Sequence, residues 1–217
     1  VFAACKKILI TVYFVTLLIP LEAQTTYKIR YLGSAAGLSN NSVRCVFQDS
    51  RGFMWFGTYD GLDRYDGYEF KVLRNRINDS TSLPHNYISA INEDDAGDLW
   101  IGMGQGVVKY NVFTDIVTPV YFAPYQTKRK ERMSMYINSI EKDDAGNMIL
   151  GTSGSGMIIK FKGADLGVQI PLAGREGNVN NNVSIQALHI DHKKNLWVFI
   201  AGLGLYRYDY NTKQLKP

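Results

Sequence analysis

Asparagine, tyrosine, aspartate, histidine and glutamine recur in this sequence at two points of a repeating pattern. Asn40, Asn41, His85, Asn86, Tyr136, Asn138 and Asn182 stand at the starts of short apolar runs, and Tyr59, Asp60 and Gln105 stand in a polar stretch further on. Amides and a carboxylate can bond sugar hydroxyls, and an aromatic ring can cover the apolar face of a sugar. The same residue types are what ordinary turns use, so whether they act together depends on the fold bringing them to one face.

Other chemistry has weaker support. The pairs Asp94-Asp95 and Asp143-Asp144 could attract calcium, but a calcium loop needs about six to eight oxygen ligands, and the Asp-x-Asp-x-Asp-Gly spacing is absent. His189-Ile190-Asp191-His192 offers two histidines three apart and no third metal ligand nearby. Gly-x-Gly pieces such as Gly104-Gln105-Gly106 precede no helical pattern, so the helix N-terminus that would hold a phosphate is missing. Cys45 stands where Ala90, Ser139 and Ala187 stand in later copies, the place of a small packed side chain. No serine can be joined to a histidine and an acid from sequence alone. Paired carboxylates for glycoside hydrolysis would have to come from different repeats and stay open. No catalytic residue, metal or cofactor is expected.

The elements that must position these residues repeat. Asn41–Phe70 returns as Asn86–Asn111, Tyr136–Phe161 and Val183–Asp209, with Trp55, Trp100, Ile149 and Trp197 in equivalent places, a period of 45, 49 and 48 residues. Each copy reads as a strand with an apolar pair three apart (Val43/Val46, Ile88/Ile91, Ile137/Ile140, Ile185/Leu188). An Asp-Gly turn, a Trp-x-Gly strand whose indole N–H can find a carbonyl, and a glycine-led strand ending in an aromatic follow. Residues three apart on a strand point to opposite sides, which predicts an inner strand buried on both faces. The turns are read as starting at Asp49, Asp95, Asp144 and Asp191. Several strands at this period predict an all-β fold of β-propeller blades, four consecutive four-stranded repeats. The fourth strand is clear in the first copy, as Tyr68–Val72, and vaguer later, at 116–122 and 168–172.

The expected organisation is a signal peptide over 1–23, an N-terminal strand and lead-in over 24–40, and blades over 41–85, 86–134, 135–182 and, incomplete, 183–217. Lys6-Lys7, the apolar run from Ile8 to Ile19 and the ending Leu21-Glu22-Ala23 are the pattern of an export leader cleaved after Ala23. Tyr27–Leu32 alternates as a strand, which in a propeller could complete the last blade. The 217 residues carry 24 basic and 20 acidic side chains, a net +4 too slight to call for nucleic acid. The densest basic run, 128–132, is read as a solvated loop.

Laid out this way, the copies resemble the two-component regulator propeller repeat. Leu38-Ser39-Asn40-Asn41 matches its lead-in, Asp49 and Gly52 its turn, Trp55-Phe56-Gly57-Thr58 its second strand, and Gly61-Leu62-Asp63-Arg64-Tyr65 its third. The second copy follows through Asp94, Gly97, Leu99-Trp100-Ile101-Gly102 and Gly106 to Tyr110; the third and fourth are degraded but in phase. The resemblance implies part of a seven-bladed propeller in the periplasmic sensor of a hybrid two-component system, anchored in the inner membrane through a parent histidine kinase. It further implies an oligosaccharide ligand, control of glycan-utilisation genes, and the remaining propeller and signalling domains as partners. On this reading the sequence is an N-terminal fragment that is not itself an enzyme. Pairing with a second copy as a homodimer stays open, as do an exported propeller enzyme acting on polysaccharide and a protein-binding scaffold.

Overall fold

The computed structural model describes residues 29–171 and 182–216. The expected leader with its cleavage point lies outside them, as do Tyr27 and Lys28 of the expected N-terminal strand. The chain divides into two units, Val1–Tyr31 and Leu32–Pro217. In the first, Ile29–Tyr31 is irregular, with Ile29 and Tyr31 exposed. The strand expected over Tyr27–Leu32 is therefore not formed at Ile29–Leu32: alternation of residue type makes a strand only where a partner strand takes up its amides and carbonyls.

The second unit begins with a 3₁₀ turn at Ser34–Ala36 and continues as antiparallel strands. The first sheet holds β1 (Val43–Gln48), β2 (Met54–Thr58), β3 (Gly61–Tyr65) and β4 (Phe70–Leu73), and the second β5 (Ile88–Glu93), β6 (Leu99–Met103), β7 (Gly106–Asn111) and β8 (Ile116–Pro119). A hairpin of β9 (Tyr121–Ala123) and β10 (Glu131–Arg132) precedes β11 (Ile137–Lys142), β12 (Met148–Thr152), β13 (Met157–Lys160) and β14 (Gly167–Ile170). The last sheet holds β15 (Ile185–Ile190), β16 (Leu196–Ile200), β17 (Gly204–Asp209) and β18 (Gln214–Lys216). Within each blade the four strands β1–β4, β5–β8, β11–β14 and β15–β18 lie side by side in chain order, and neighbouring sheets meet through their first strands, β1 with β5, β5 with β11 and β11 with β15. These are propeller blades. The fourth repeat, expected to be incomplete, has four strands. The third sheet has six, because β9 pairs parallel with β14 and carries β10 on its outer edge. The basic run 128–132 thus lies on an exposed hairpin, where Lys128 and Lys130 sit over the rings of Tyr125 and Tyr121.

A β-bulge recurs in every first strand and changes what the apolar pairs do. Between Ile88 and Ala90 the register slips, so that Ile88 lies opposite Met103 and Ile91 opposite Ile101, two residues apart on the partner strand. The same slip falls between Val43 and Cys45, Ile137 and Ser139, and Ile185 and Ala187. One extra residue resets the alternation, so both members of the pair face the same side, not opposite sides. Ile88 and Ile91 pack with Trp55 and Leu62 of the preceding sheet, whereas Ala90 packs with Ile137 and Ile140 of the following one. Val43 and Val46, with no described sheet against them, are 38% and 54% exposed.

Glycine in β2, β6 and β12 makes this stacking possible. A Cβ on Gly57 would lie 2.7 Å from Ile88 Cγ2, one on Gly102 2.8 Å from Ile137 Cγ2, and one on Gly151 2.9 Å from Ile185 Cγ2. The fourth copy has Phe199 there, 42% exposed. Cys45 sits against Gly57, and burial pushes its thiol up to about 12, which removes the thiolate a nucleophile would need.

The turns begin one residue earlier than expected in the middle repeats, at Asp94 and Asp143. Gly97 N donates to Asp94 O and Gly146 N to Asp143 O, as Gly52 N does to Asp49 O. The turn carboxylate also takes the indole N–H expected to seek a carbonyl: Trp55, Trp100 and Trp197 donate through Nε1 to Asp49, Asp94 and Asp191 at 2.9, 3.0 and 2.9 Å. Where Ile149 replaces tryptophan, Asn147 donates to Asp143 instead.

Burial pulls the Asp49 carboxyl upward, but bonds from Trp55, Arg51 and the Phe53 amide leave it below the usual range; Asp191 is lowered by Asn195 and Trp197. A carboxyl depressed on folding adds stability that is present above its unfolded value, about 4, and is lost as pH falls toward the folded value. Burial raises Asp63 and Glu141, which act in the opposite sense. We expect the urea midpoint to fall from about pH 6 to about pH 3, and the fall to be smaller in Asp49→Asn, which isolates the Asp49 share. An equal fall in that variant refutes the assignment.

Candidate functional site

The loops that enter the first strands and the turns between second and third strands meet at one end of the blades. Gly104 N donates to Tyr87 O at 3.1 Å, Ser153 N to Tyr136 O at 2.9 Å, and Ala201 N to Ser184 O at 2.9 Å. Each bond ties the turn after one blade's second strand to the residue just before its first, so both sets of expected site residues fall on a common end.

Three tyrosines form a strip there across successive repeats. Tyr59, in the turn between β2 and β3, stacks on Tyr87 with centroids 4.6 Å apart and planes 21° from parallel. Tyr87 lies 5.6 Å from Tyr136, and their hydroxyls are hydrogen-bonded at 2.8 Å. Arg44 of β1 sits over the Tyr59 ring at 5.8 Å. Tyr59 remains 51% exposed, so one edge of the strip is open to a ligand. Burial and the bond from Tyr136 hold the Tyr87 phenol above its ordinary range, so it stays a neutral donor and acceptor.

A polar flank fixes the strip. Asp60 pairs with Arg74 at 3.1 Å and accepts from Asn86 Nδ2 at 3.3 Å, while Asn86 Oδ1 accepts the Asn75 amide at 2.6 Å. His85 Nδ1 accepts the Tyr87 amide at 3.0 Å. Gly104, in the place of Tyr59 one repeat on, leaves room for both: a Cβ there would lie 3.2 Å from Tyr87 and 3.3 Å from His85. Ser39 of the lead-in donates through its amide at 2.7 Å and its hydroxyl at 2.5 Å to the buried Asp63, which anchors the first of these loops.

Tyr59, Asp60, His85, Asn86 and Tyr136 are thus brought together, and Arg44 and Tyr87 join them unforeseen. Tyr87 had a signal in the sequence: it precedes Ile88 as Tyr136 precedes Ile137. Arg44 had none, since the bulge decides where it points. Other expected residues serve the backbone. Asn40 and Asn41 accept the amides of Ser42 and Ser34. Asn138 donates to Ile185 O at 2.7 Å, joining the third and fourth sheets. Gln105 is exposed on the turn between β6 and β7, and Asn182 borders a separate polar pocket beside Arg132 and Gln169. Two phenols, amides, a carboxylate and a guanidinium around an open ring can bond hydroxyls and stack on a ring face.

A family model described as two component regulator propeller matches residues 37–60 and 82–105, the lead-in, first two strands and following turn of the first two repeats. Over 73 residues, 33% of this chain, the sequence is 41% identical to a protein named Histidine kinase P4 from Formosa agariphila, 5% of which is covered. The fold is similar to two structures of the extracellular domain of BT4673 from B. thetaiotaomicron, assigned in one to a one component and in the other to a hybrid two component system. Their TM-scores are 0.67 and 0.68, at 21% identity over 88% of this chain and 27% of theirs. The extracellular domain of BT3049, also from B. thetaiotaomicron and assigned to a hybrid two component system, matches with TM-score 0.52 at 20% identity over 88% of this chain and 32% of that one. This chain therefore spans only a small part of each relative. The first two blades thus carry matches to the two component regulator propeller model, and the solved structures share the fold.

Proposed function

We propose that this chain is part of the extracytoplasmic sensor of a hybrid two-component system and that it contributes to binding an oligosaccharide. The tyrosine strip carries the reading: a half-exposed ring backed by a second ring, with hydroxyl, amide, carboxylate and guanidinium groups beside it, suits a sugar better than a purely apolar or purely charged ligand. The names of the relatives support the sensor context. On this reading the chain is exported to the periplasm, and the remaining propeller and signalling domains of an inner-membrane histidine kinase turn occupancy into transcription of glycan-utilisation genes. The segment itself performs no chemistry.

The test uses the complete extracellular region, titrated calorimetrically with a panel of oligosaccharides. For one that binds, Tyr59→Ala should weaken affinity about tenfold, the loss of roughly 1.4 kcal/mol of stacking, while leaving the melting temperature near the parent value. Affinity unchanged in Tyr59→Ala sinks the assignment of the site, and release of reducing sugar by the protein sinks the non-enzymatic reading.

A further inference from the structure

The first strand of each blade is an edge of its sheet, so alternate residues there turn an amide and a carbonyl away from the ladder, and these must find other partners. In β11 and β15, side chains of the preceding blade supply them. Ser89 Oγ donates to Ile137 O at 2.5 Å and Asn92 Nδ2 to Ile140 O at 3.0 Å, which joins the second blade to the third. Asn138 Nδ2 donates to Ile185 O at 2.7 Å and Ser139 Oγ accepts the Leu188 amide at 3.2 Å, which joins the third to the fourth.

One place in this series is filled by a different chemistry. Asn92 lies opposite Trp100 on the neighbouring strand and Glu141 lies opposite Ile149, so Glu141 stands where Asn92 stands one repeat earlier. By the same register Leu188, opposite Val198, stands where Ile140 stands, opposite Leu150. A strand residue presents its N–H and its C=O to the same side. Leu188, whose amide meets Ser139, therefore turns its carbonyl to the edge that faces the third blade, where Glu141 follows Ser139 by two residues. An asparagine can donate to that carbonyl at any ordinary pH, but a glutamate can do so only when protonated. Glu141 is half-buried and, among the described residues, makes no hydrogen bond or ion pair.

The charged groups around it are few. His189 of β15 acts on Glu141 from the fourth blade. Lys142 turns instead to Asp95, at 3.2 Å, and Glu93 of β5 is taken up by Ser50, at 2.8 and 2.9 Å. The partner across β12 is the apolar Ile149.

We propose that Glu141 is a pH-dependent latch between the third and fourth blades: protonated, it donates to Leu188 O as Asn92 donates to Ile140 O, and ionised, it sets a carboxylate against a carbonyl and loosens the seam. Burial raises the Glu141 carboxyl above its usual range, and the field of His189 offsets part of that rise. A carboxyl raised on folding contributes stability that is fully present below its unfolded value, about 4.3, and is lost as pH rises through the folded value. The seam thus tightens on acidification. The latch is independent of the tyrosine strip, which belongs to the first three repeats.

The experiment follows urea unfolding of the full chain at pH 7 and pH 4. Glu141→Gln keeps the shape and donates at both values, so it should raise the folding equilibrium constant about two- to tenfold at pH 7, the worth of one hydrogen bond, and by less at pH 4. Asn92→Asp places the same acid at the seam before, and should cost more at pH 7 than at pH 4. In Glu141→Gln the introduced side-chain amide, followed by nuclear magnetic resonance, should exchange its protons at least tenfold more slowly than that of the exposed Gln105. No gain in Glu141→Gln at pH 7, a gain equal at both pH values, or a side-chain amide that exchanges as freely as Gln105 overturns the proposal, as does an Asn92→Asp cost that ignores pH.

Discussion

Trp55→Ala should destabilise the propeller unit by about 3–5 kcal/mol, the usual cost of emptying a core aromatic site. Trp55 is 0% exposed and is wedged between the first and second sheets, among Leu62, Ile88 and Leu99. It meets Tyr110 edge-on, with centroids 6.1 Å apart. Its loss therefore opens a cavity between blades and also strips the indole N–H from the buried Asp49 carboxylate, 2.9 Å away. Trp55→Phe separates the two effects. It keeps most of the ring and leaves Asp49 with the Arg51 and Phe53 donors, so its cost should be about 1–3 kcal/mol, that of one bond to a buried charged group. Urea unfolding followed by circular dichroism reads both values. Equal costs for the two variants contradict the cavity argument, and a negligible cost for Trp55→Phe contradicts the role of the turn carboxylate.

Gly102→Val should cost about 3 kcal/mol, the upper end of ordinary overpacking. A Cβ on Gly102 meets Ile137 Cγ2 at 2.8 Å, Ile137 Cβ at 3.0 Å and Ala90 Cβ at 3.3 Å, and valine adds two methyl groups to that crowd. Those neighbours are packed between sheets and cannot swing aside. Pairing it with Ile137→Ala should recover part of the loss, giving a coupling energy of about 1 kcal/mol or more in a double-mutant cycle. Phe199→Gly, at the same repeat position on the exposed face of the fourth sheet, should change stability by much less, because no described sheet presses on it. Additive effects at Gly102 and Ile137 show that the two sheets do not meet through these residues.

The two variants also mark where sequence reading reached and where it stopped. The repeat, its period, the turns and the order of strands were legible because each is written in neighbouring residues. An Asp bonds amides two and four positions on, as Asp94 does to Ala96 and Asp98, and glycine takes up the positive φ of the turn, +80° at Gly97. The close approach at Gly57, Gly102 and Gly151 was legible too, since a glycine recurring inside a strand signals a neighbouring backbone or side chain. What misled was alternation itself. It placed the apolar pairs on opposite faces and put a strand at Ile29–Leu32 where none forms, while the doubled acids Asp94-Asp95 and Asp143-Asp144 put two turns a residue late.

The amino-acid sequence by itself determined that this protein is a run of four-stranded blades, because local backbone chemistry and a repeated hydrophobic pattern suffice for that. The tertiary structure alone decided that a bulge turns the Ile88/Ile91 and Ile137/Ile140 pairs toward the preceding blade, and that Tyr59, Tyr87 and Tyr136 line up with Arg44. The physical reason is range. The Tyr87–Tyr136 bond joins residues 49 apart in the chain, and only the stacking of sheets, driven by burial of their apolar faces, brings such residues within reach.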